Sequence, residues 1–151
     1  MDEPAGLVAD DAGGRFLLDG QRDERNRSVD MITGGCLCEG VRYQVDGPLR
    51  DAINCFCDQC RKTSGHYVAA ASARHEDFEL LRDETLEWYE SSETARRGFC
   101  RRCGGNLFWQ KYDRDSISIF AGTIDPPTGI RTAENIFVDS KSDYHALPEL
   151  T

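Results

Sequence analysis

Three thiols fall within six residues at Cys55-Phe56-Cys57-Asp58-Gln59-Cys60, with no histidine among them. Thiolate sulfur is the soft ligand that zinc, iron–sulfur clusters and Cu(I) select. Cys-x-Cys and Cys-x-x-Cys spacings let one turn aim two sulfurs at one ion. The run therefore reads as three ligands to one metal. A structural zinc is closed by four protein ligands, whereas a catalytic zinc keeps three and leaves a position for water or substrate; this segment supplies the open kind. The other four cysteines form two pairs, Cys36-Leu37-Cys38 and Cys100-Arg101-Arg102-Cys103. The second pair is followed by Gly104-Gly105, whose permissive backbone suits a tight ligand turn. Seven cysteines then divide as four plus three, one closed zinc joining distant parts of the chain and one open zinc held locally. A partition that groups Cys36 and Cys38 with a central thiol leaves Cys100 and Cys103 short of ligands, and spacing alone does not decide between the two.

Disulfides fit this pattern poorly. The cysteine count is odd, no secretory signal is evident, and a Cys-x-Cys pair sits too close to bridge itself easily. Inert buried cysteines occur singly rather than in three clusters at ligand spacing. An iron–sulfur cluster on the same sulfurs stays as an alternative. Three thiolates on Zn²⁺ leave a centre of net charge about −1, a weaker Lewis acid than a tris-histidine site, which disfavours water activation and hydrolysis. An incoming thiol would still lose its proton on coordination and keep a nucleophilic sulfur, so thiol activation is the chemistry that this ligand set suits. The three histidines, His66, His75 and His145, are scattered singly, without a partner at zinc spacing. His66 follows the metal loop and is a candidate general base, with a core or surface role as its ordinary reading.

The elements that must position these sulfurs are short strands. Val41 to Val45 alternates apolar and polar residues and is closed by Asp46-Gly47-Pro48. Tyr67 to Ala73, Phe78 to Leu81 and Leu86 to Tyr89 have strand length and charged turns between them. Asn106 to Tyr112 and Ser116 to Ala121 read as a hairpin around Asp113-Arg114-Asp115. Gly122 to Pro127 is a loop and Asn135 to Val138 a last strand. Helical periodicity is confined to a turn or two near Arg61 to Gly65 or Arg74 to Asp77. The class is mainly β, and a four-cysteine zinc would clip it and supply folding energy.

At 151 residues the chain is one domain's worth. Residues 1–33 read as an N-terminal extension, partly mobile along the polar run Asp19 to Asp30, with Phe16-Leu17-Leu18 as an edge strand or a cover for a neighbouring subunit. Residues 34–151 form the zinc domain. Acidic residues outnumber basic ones 27 to 18, for a net charge of −9, which argues against nucleic acid as a partner. No run approaches the roughly 18 apolar residues of a membrane span, and Met1-Asp2-Glu3 lacks the features of a signal peptide. The expectation is a cytoplasmic protein with reduced thiols.

The sequence resembles the glutathione-dependent formaldehyde-activating enzyme family, which includes centromere-protein-V-like proteins. The resemblance covers roughly Gly34 to Pro148 and rests on Gly35-Cys36-Leu37-Cys38-Glu39-Gly40, Cys55-x-Cys57-x-x-Cys60-Arg61-Lys62-x-Ser64-Gly65, Phe99-Cys100-x-x-Cys103-Gly104 and Gly122-Thr123-Ile124-Asp125. It implies a tent-like antiparallel β fold with two zincs, a structural one on Cys36, Cys38, Cys100 and Cys103 and an active-site one on Cys55, Cys57 and Cys60. The implied activity joins glutathione to formaldehyde to give S-hydroxymethylglutathione, a carbon–sulfur lyase reaction. Because glutathione carries two carboxylates, Arg61 and Lys62, with Ser64 and Gly65, are the candidate substrate contacts; a solvated charged pair is the ordinary reading of Arg61 and Lys62. Phe56, Asn135 and Tyr144 depart from the family pattern, which often has His, His and Trp there, and Phe56 removes a proton-transfer group beside the open zinc. Arg96, Arg97, Arg101 and Arg102 are expected around the structural site. A non-catalytic zinc or thiol-binding module is the alternative reading. A deaminase-like hydrolase is disfavoured, since Glu39 lies in the other cluster and the Pro-Cys-x-x-Cys signature is absent.

Overall fold

Alternating and β-branched segments do become strands, twelve of them, in a computed structural model that describes residues 7–9, 15–17 and 31–151. Strands β1 (Leu7–Ala9) and β2 (Arg15–Leu17) pair antiparallel in a two-stranded sheet of their own. The polar run Asp19 to Asp30 lies outside the described residues. Strands β3 (Ile32–Gly35), β4 (Arg42–Val45) and β7 (Phe78–Arg82) form a three-stranded sheet in the order β3-β4-β7. The principal sheet has seven strands, ordered β12-β5-β6-β11-β10-β9-β8. Its members are β5 (Arg50–Cys55), β6 (Val68–Arg74), β8 (Leu86–Glu90), β9 (Ala95–Cys100), β10 (Asn106–Lys111), β11 (Ser116–Phe120) and β12 (Thr132–Ile136).

All pairings are antiparallel except β12 with β5, which run parallel from Thr132 beside Ala52 to Ile136 beside Cys55. The fold is thus mainly β, with one parallel edge. The expected hairpin around Asp113 to Asp115 is β10–β11. Strands β3, β5 and β9 were not expected from the sequence. In both β5 and β9 four of the six positions are buried, including consecutive ones, and β5 is also bulged against β6, so no clean alternation survives to be read.

The core fills the space between the two larger sheets. Tyr43 of β4 stacks on Phe78 of β7 at 5.7 Å and meets Phe108 of β10 edge-on at 5.4 Å, joined by Val41, Val45, Ala71, Ile117 and Ile119. The buried Tyr43 hydroxyl is satisfied by Thr123 Oγ1 at 2.8 Å. Gly34 is required at this crossing: a Cβ there would lie 2.2 Å from the Tyr43 oxygen and 2.4 Å from the Thr123 carbonyl. Ile32 is buried, and Thr33 Oγ1 donates to Asp125 at 2.7 Å, so the sheet begins ahead of Gly34.

Candidate metal centre

The four-cysteine cluster is assembled by two ligand turns. Cys36 opens the turn that follows β3, where its N–H donates to the Val41 carbonyl and its carbonyl accepts from Glu39 N. Glu39 closes that turn with φ 62°, a left-handed conformation. Cys100 ends β9, its N–H donating to the Gly105 carbonyl, and Gly104 at φ 74° returns its N–H to the Cys100 carbonyl. The sulfurs of Cys36, Cys38, Cys100 and Cys103 all lie within 4.8 Å of one another. Cys36 and Cys38 are 3.7 Å apart, and Cys38 and Cys100 3.6 Å. With Zn–S near 2.3 Å, a tetrahedral site has sulfurs about 3.8 Å apart, so these spacings fit one closed thiolate site. The partition of Cys36 and Cys38 with the central thiols is not the one the chain adopts.

Donors surround those sulfurs. Val41 N lies 3.3 Å from Cys36 Sγ, Cys103 N 3.5 Å from Cys100 Sγ, and the buried Thr85 hydroxyl 3.1 Å from Cys100 Sγ. Burial pushes the Cys36 thiol up to about 11. At Cys100 burial acts in the same sense but is outweighed by the Thr85 hydroxyl and the neighbouring backbone N–H groups, which bring it down to about 6. Some sulfurs of the cluster are thus poised as thiolates, the form that binds metal.

The three-cysteine cluster sits at the junction of β5 and helix α1 (Asp58–Ser64). Cys55 is the last residue of β5; Cys57 is the N-cap of α1, accepting from Cys60 N at 3.4 Å; Cys60 is buried in the first turn. Asp58 in the first turn and Arg61 and Lys62 in the last suit the helix dipole, and Gly65 at φ 83° ends the helix in the left-handed conformation. The three sulfurs lie within 4.8 Å of one another, and among the described residues no fourth His, Cys, Asp or Glu joins them. The hydrogen bond from Cys55 lowers the Cys60 thiol most, burial opposes it and Arg97 adds to it, leaving Cys60 at about 6. Cys55 is raised by that same bond and by burial.

The candidate substrate contacts cluster on α1, one turn from the sulfurs. Arg61 Nη2 pairs with Asp58 at 2.9 Å and Nη1 reaches Ser142 Oγ at 3.4 Å. Lys62 is exposed. The Ser64 hydroxyl donates to the Cys60 carbonyl at 2.7 Å, and Gly65 N donates to the Arg61 carbonyl, so both close the helix end.

Two relationships escaped sequence reasoning. His66 and His145, scattered in the chain, are adjacent in space with ring centroids 4.4 Å apart. His66 bonds the Tyr144 hydroxyl, and Phe56, fully buried between Cys55 and Cys57 in the chain, packs on Tyr67 at 4.8 Å and on His145 at 5.9 Å. The C-terminal segment is thereby folded onto the three-cysteine segment. Arg97 also departs from expectation: it points to Cys60 in the three-sulfur cluster, with Nη2 at 3.7 Å, rather than to the four-sulfur one. Its neighbour Arg96 lies over Trp88 at 4.0 Å, and Arg101 pairs with Glu87 at the surface.

Fold and clusters together define a mainly β protein with two cysteine clusters able to hold a metal, one of four sulfurs and one of three. The family model described as "Glutathione-dependent formaldehyde-activating enzyme" matches residues 31–140, and the chain belongs to that family. It is also similar to a Rhodobacter sphaeroides protein of known crystal structure, at 28% identity and a TM-score of 0.56, over 68% of this chain and 98% of that one.

Proposed function

We propose that the chain is a zinc-dependent carbon–sulfur lyase that binds glutathione or a similar thiol at the three-cysteine centre and forms or cleaves its adduct with formaldehyde or a related aldehyde. The observation that carries this reading is the contrast between the clusters: four sulfurs in one, and in the other three with no fourth protein ligand among the described residues. The all-sulfur donor sets and their spacing fit zinc. Cys36, Cys38, Cys100 and Cys103 would hold a structural zinc, and Cys55, Cys57 and Cys60 an active-site zinc. When bound there, zinc supplies a Lewis-acid position at which a thiol gives up its proton and remains nucleophilic.

The chain's own residues provide the rest. Cys57 is held by Cys60 N and Cys60 by Arg97, so the sulfurs are oriented before substrate arrives. Phe56, buried between Cys55 and Cys57 in the chain, packs on Tyr67 and adds apolar surface to the segment that carries the sulfurs. Arg61 and Lys62 offer positive charge for the carboxylates of glutathione, while Ser64 and Gly65 hold the end of the helix that carries both. In the net reaction the thiol sulfur attacks the aldehyde carbon, the C–S bond forms as the carbonyl π bond breaks, and the thiol proton ends on the new hydroxyl. A cytoplasmic site of action, with its glutathione pool and reduced thiols, follows from the same reading; no helix among the described residues is long and apolar enough to cross a membrane.

The test is the visible spectrum of the cobalt-substituted protein with and without glutathione, paired with NMR detection of S-hydroxymethylglutathione against a protein-free control. A glutathione-dependent change in the cobalt–thiolate bands, absent in C57S, together with turnover above the control, is the expected result. A bound metal with neither effect would leave the non-catalytic zinc module as the better reading.

A further inference from the structure

Arg97 carries a full positive charge into the interior of the principal sheet. It lies on β9, opposite Trp109 of β10 and Tyr89 of β8, and is only 7% exposed. A guanidinium so buried is costly unless a countercharge and hydrogen-bond acceptors surround it. Its hydrogen-bond partners are the Gln59 side-chain carbonyl at 3.3 Å and Cys60 Sγ at 3.7 Å, both reached from Nη2, while Nε is buried with no partner. No carboxylate pairs with it among the described residues. The negative charge that balances Arg97 must therefore reside on the sulfur cluster.

We propose that Arg97 is the positioning residue and buried countercharge of the three-cysteine centre, stabilising its anionic metal-bound form and the further negative charge that a thiolate substrate brings. The inference rests on the proposed metal at Cys55, Cys57 and Cys60. Three thiolates on a divalent ion leave net charge about −1, and a fourth makes it about −2; each step is favoured by a fixed cation whose N–H groups are already aimed at one of the sulfurs. Gln59 holds the guanidinium in register, and its own amide is tied to the Ser91 carbonyl at 3.3 Å. The countercharge thus comes from β9, whereas the sulfurs come from the end of β5 and the start of α1, so the contact ties that junction to β9.

The experiment measures metal stoichiometry and chelator-competition affinity for each site in the wild type, R97Q and R97K, with the surface variant R101Q as control, and the half-saturating glutathione concentration in the cobalt spectra. R97Q is expected to keep wild-type affinity at the four-cysteine site, to lose about 10- to 100-fold at the three-cysteine site, and to need correspondingly more glutathione. R97K, which keeps the charge but not the fork, is expected to fall between, and R101Q to match the wild type. R97Q binding both metals within twofold of the wild type would overturn the proposal, as would R97K indistinguishable from the wild type should R97Q fail to fold. A wild type that binds metal only at the four-cysteine site would instead defeat the open-centre reading itself, so the two failures are told apart.

Discussion

The sulfurs of Cys38 and Cys100 lie 3.6 Å apart although 62 positions separate them in the chain. The contact ties the β3–β4 turn of the small sheet to the end of β9 in the large one, across the core that both sheets share. A metal held by all four sulfurs would close that separation and add its binding energy to the fold.

Two serine variants should therefore behave differently. C100S removes a ligand from the site that joins the sheets and is expected to lose that metal and most of the cooperative unfolding transition. C57S touches only the loop before α1 and is expected to lose the other metal while melting as a folded protein. Metal counts and thermal melts on both variants check the division. Equal melting losses would show that both centres are structural.

Thr85 is buried, and its hydroxyl is 3.1 Å from Cys100 Sγ. A hydrogen bond to a charged sulfur of this kind contributes about 1.5–3 kcal/mol. T85V keeps the shape and the Thr85 carbonyl that accepts from Arg101 N, so its loss isolates the hydroxyl. We expect a destabilisation of about 2 kcal/mol in denaturant titrations and faster loss of the structural metal to chelator.

Gly34 has no room for a side chain, with the Tyr43 oxygen and the Thr123 carbonyl 2.2 and 2.4 Å from where a Cβ would sit. The carbonyl is backbone and yields only if the loop after β11 moves. G34A is expected to cost about 3 kcal/mol or more and to break the Tyr43–Thr123 hydrogen bond, whereas G122A, with open space around it, should be close to neutral. Parallel denaturation curves test the pair.

Asp125 accepts from Arg42 at 2.6 Å and from Thr33 at 2.7 Å, and these two bonds hold its carboxyl below the usual carboxylate range. Because the folded value lies below the unfolded one, the stabilisation is complete above the unfolded carboxyl pKa near 3.9 and is lost as pH falls through the folded value. The side chains are 45% and 25% exposed, so solvent screens the pair and its worth is about 1 kcal/mol or less. D125N should be less stable than the wild type at pH 7, and the gap should narrow toward pH 3 and in high salt. A gap independent of pH would assign the effect to packing.

Much of the site was legible before folding because it is local. A Cys-x-Cys or Cys-x-x-Cys ligand turn is made by a few consecutive residues and their glycines, so the loops around Cys36, Cys57 and Cys100 could be read from spacing. The strands that alternate cleanly, such as β4 and the β10–β11 hairpin, were legible for the same reason. Strand β5 was not, since its Arg50 to Cys55 run is buried nearly throughout between β6 and the parallel β12.

The sequence by itself determined which atoms could ligate a metal and how many there are: seven sulfurs in three local groups, a number that favours four plus three. Tertiary structure decided which groups meet, because the distance between Cys38 and Cys100 depends on how two sheets pack and not on either turn. It also decided the surroundings. Arg97, one of four arginines near a cysteine pair, becomes the buried partner of Cys60 only because the fold brings its side chain on β9 within reach of the first turn of α1, and His66 and His145 meet only because the chain after β12 returns over Phe56. Ligand identity is a property of residue type and short spacing, whereas charge balance around a metal depends on contacts between segments far apart in the chain, which hydrophobic periodicity does not encode.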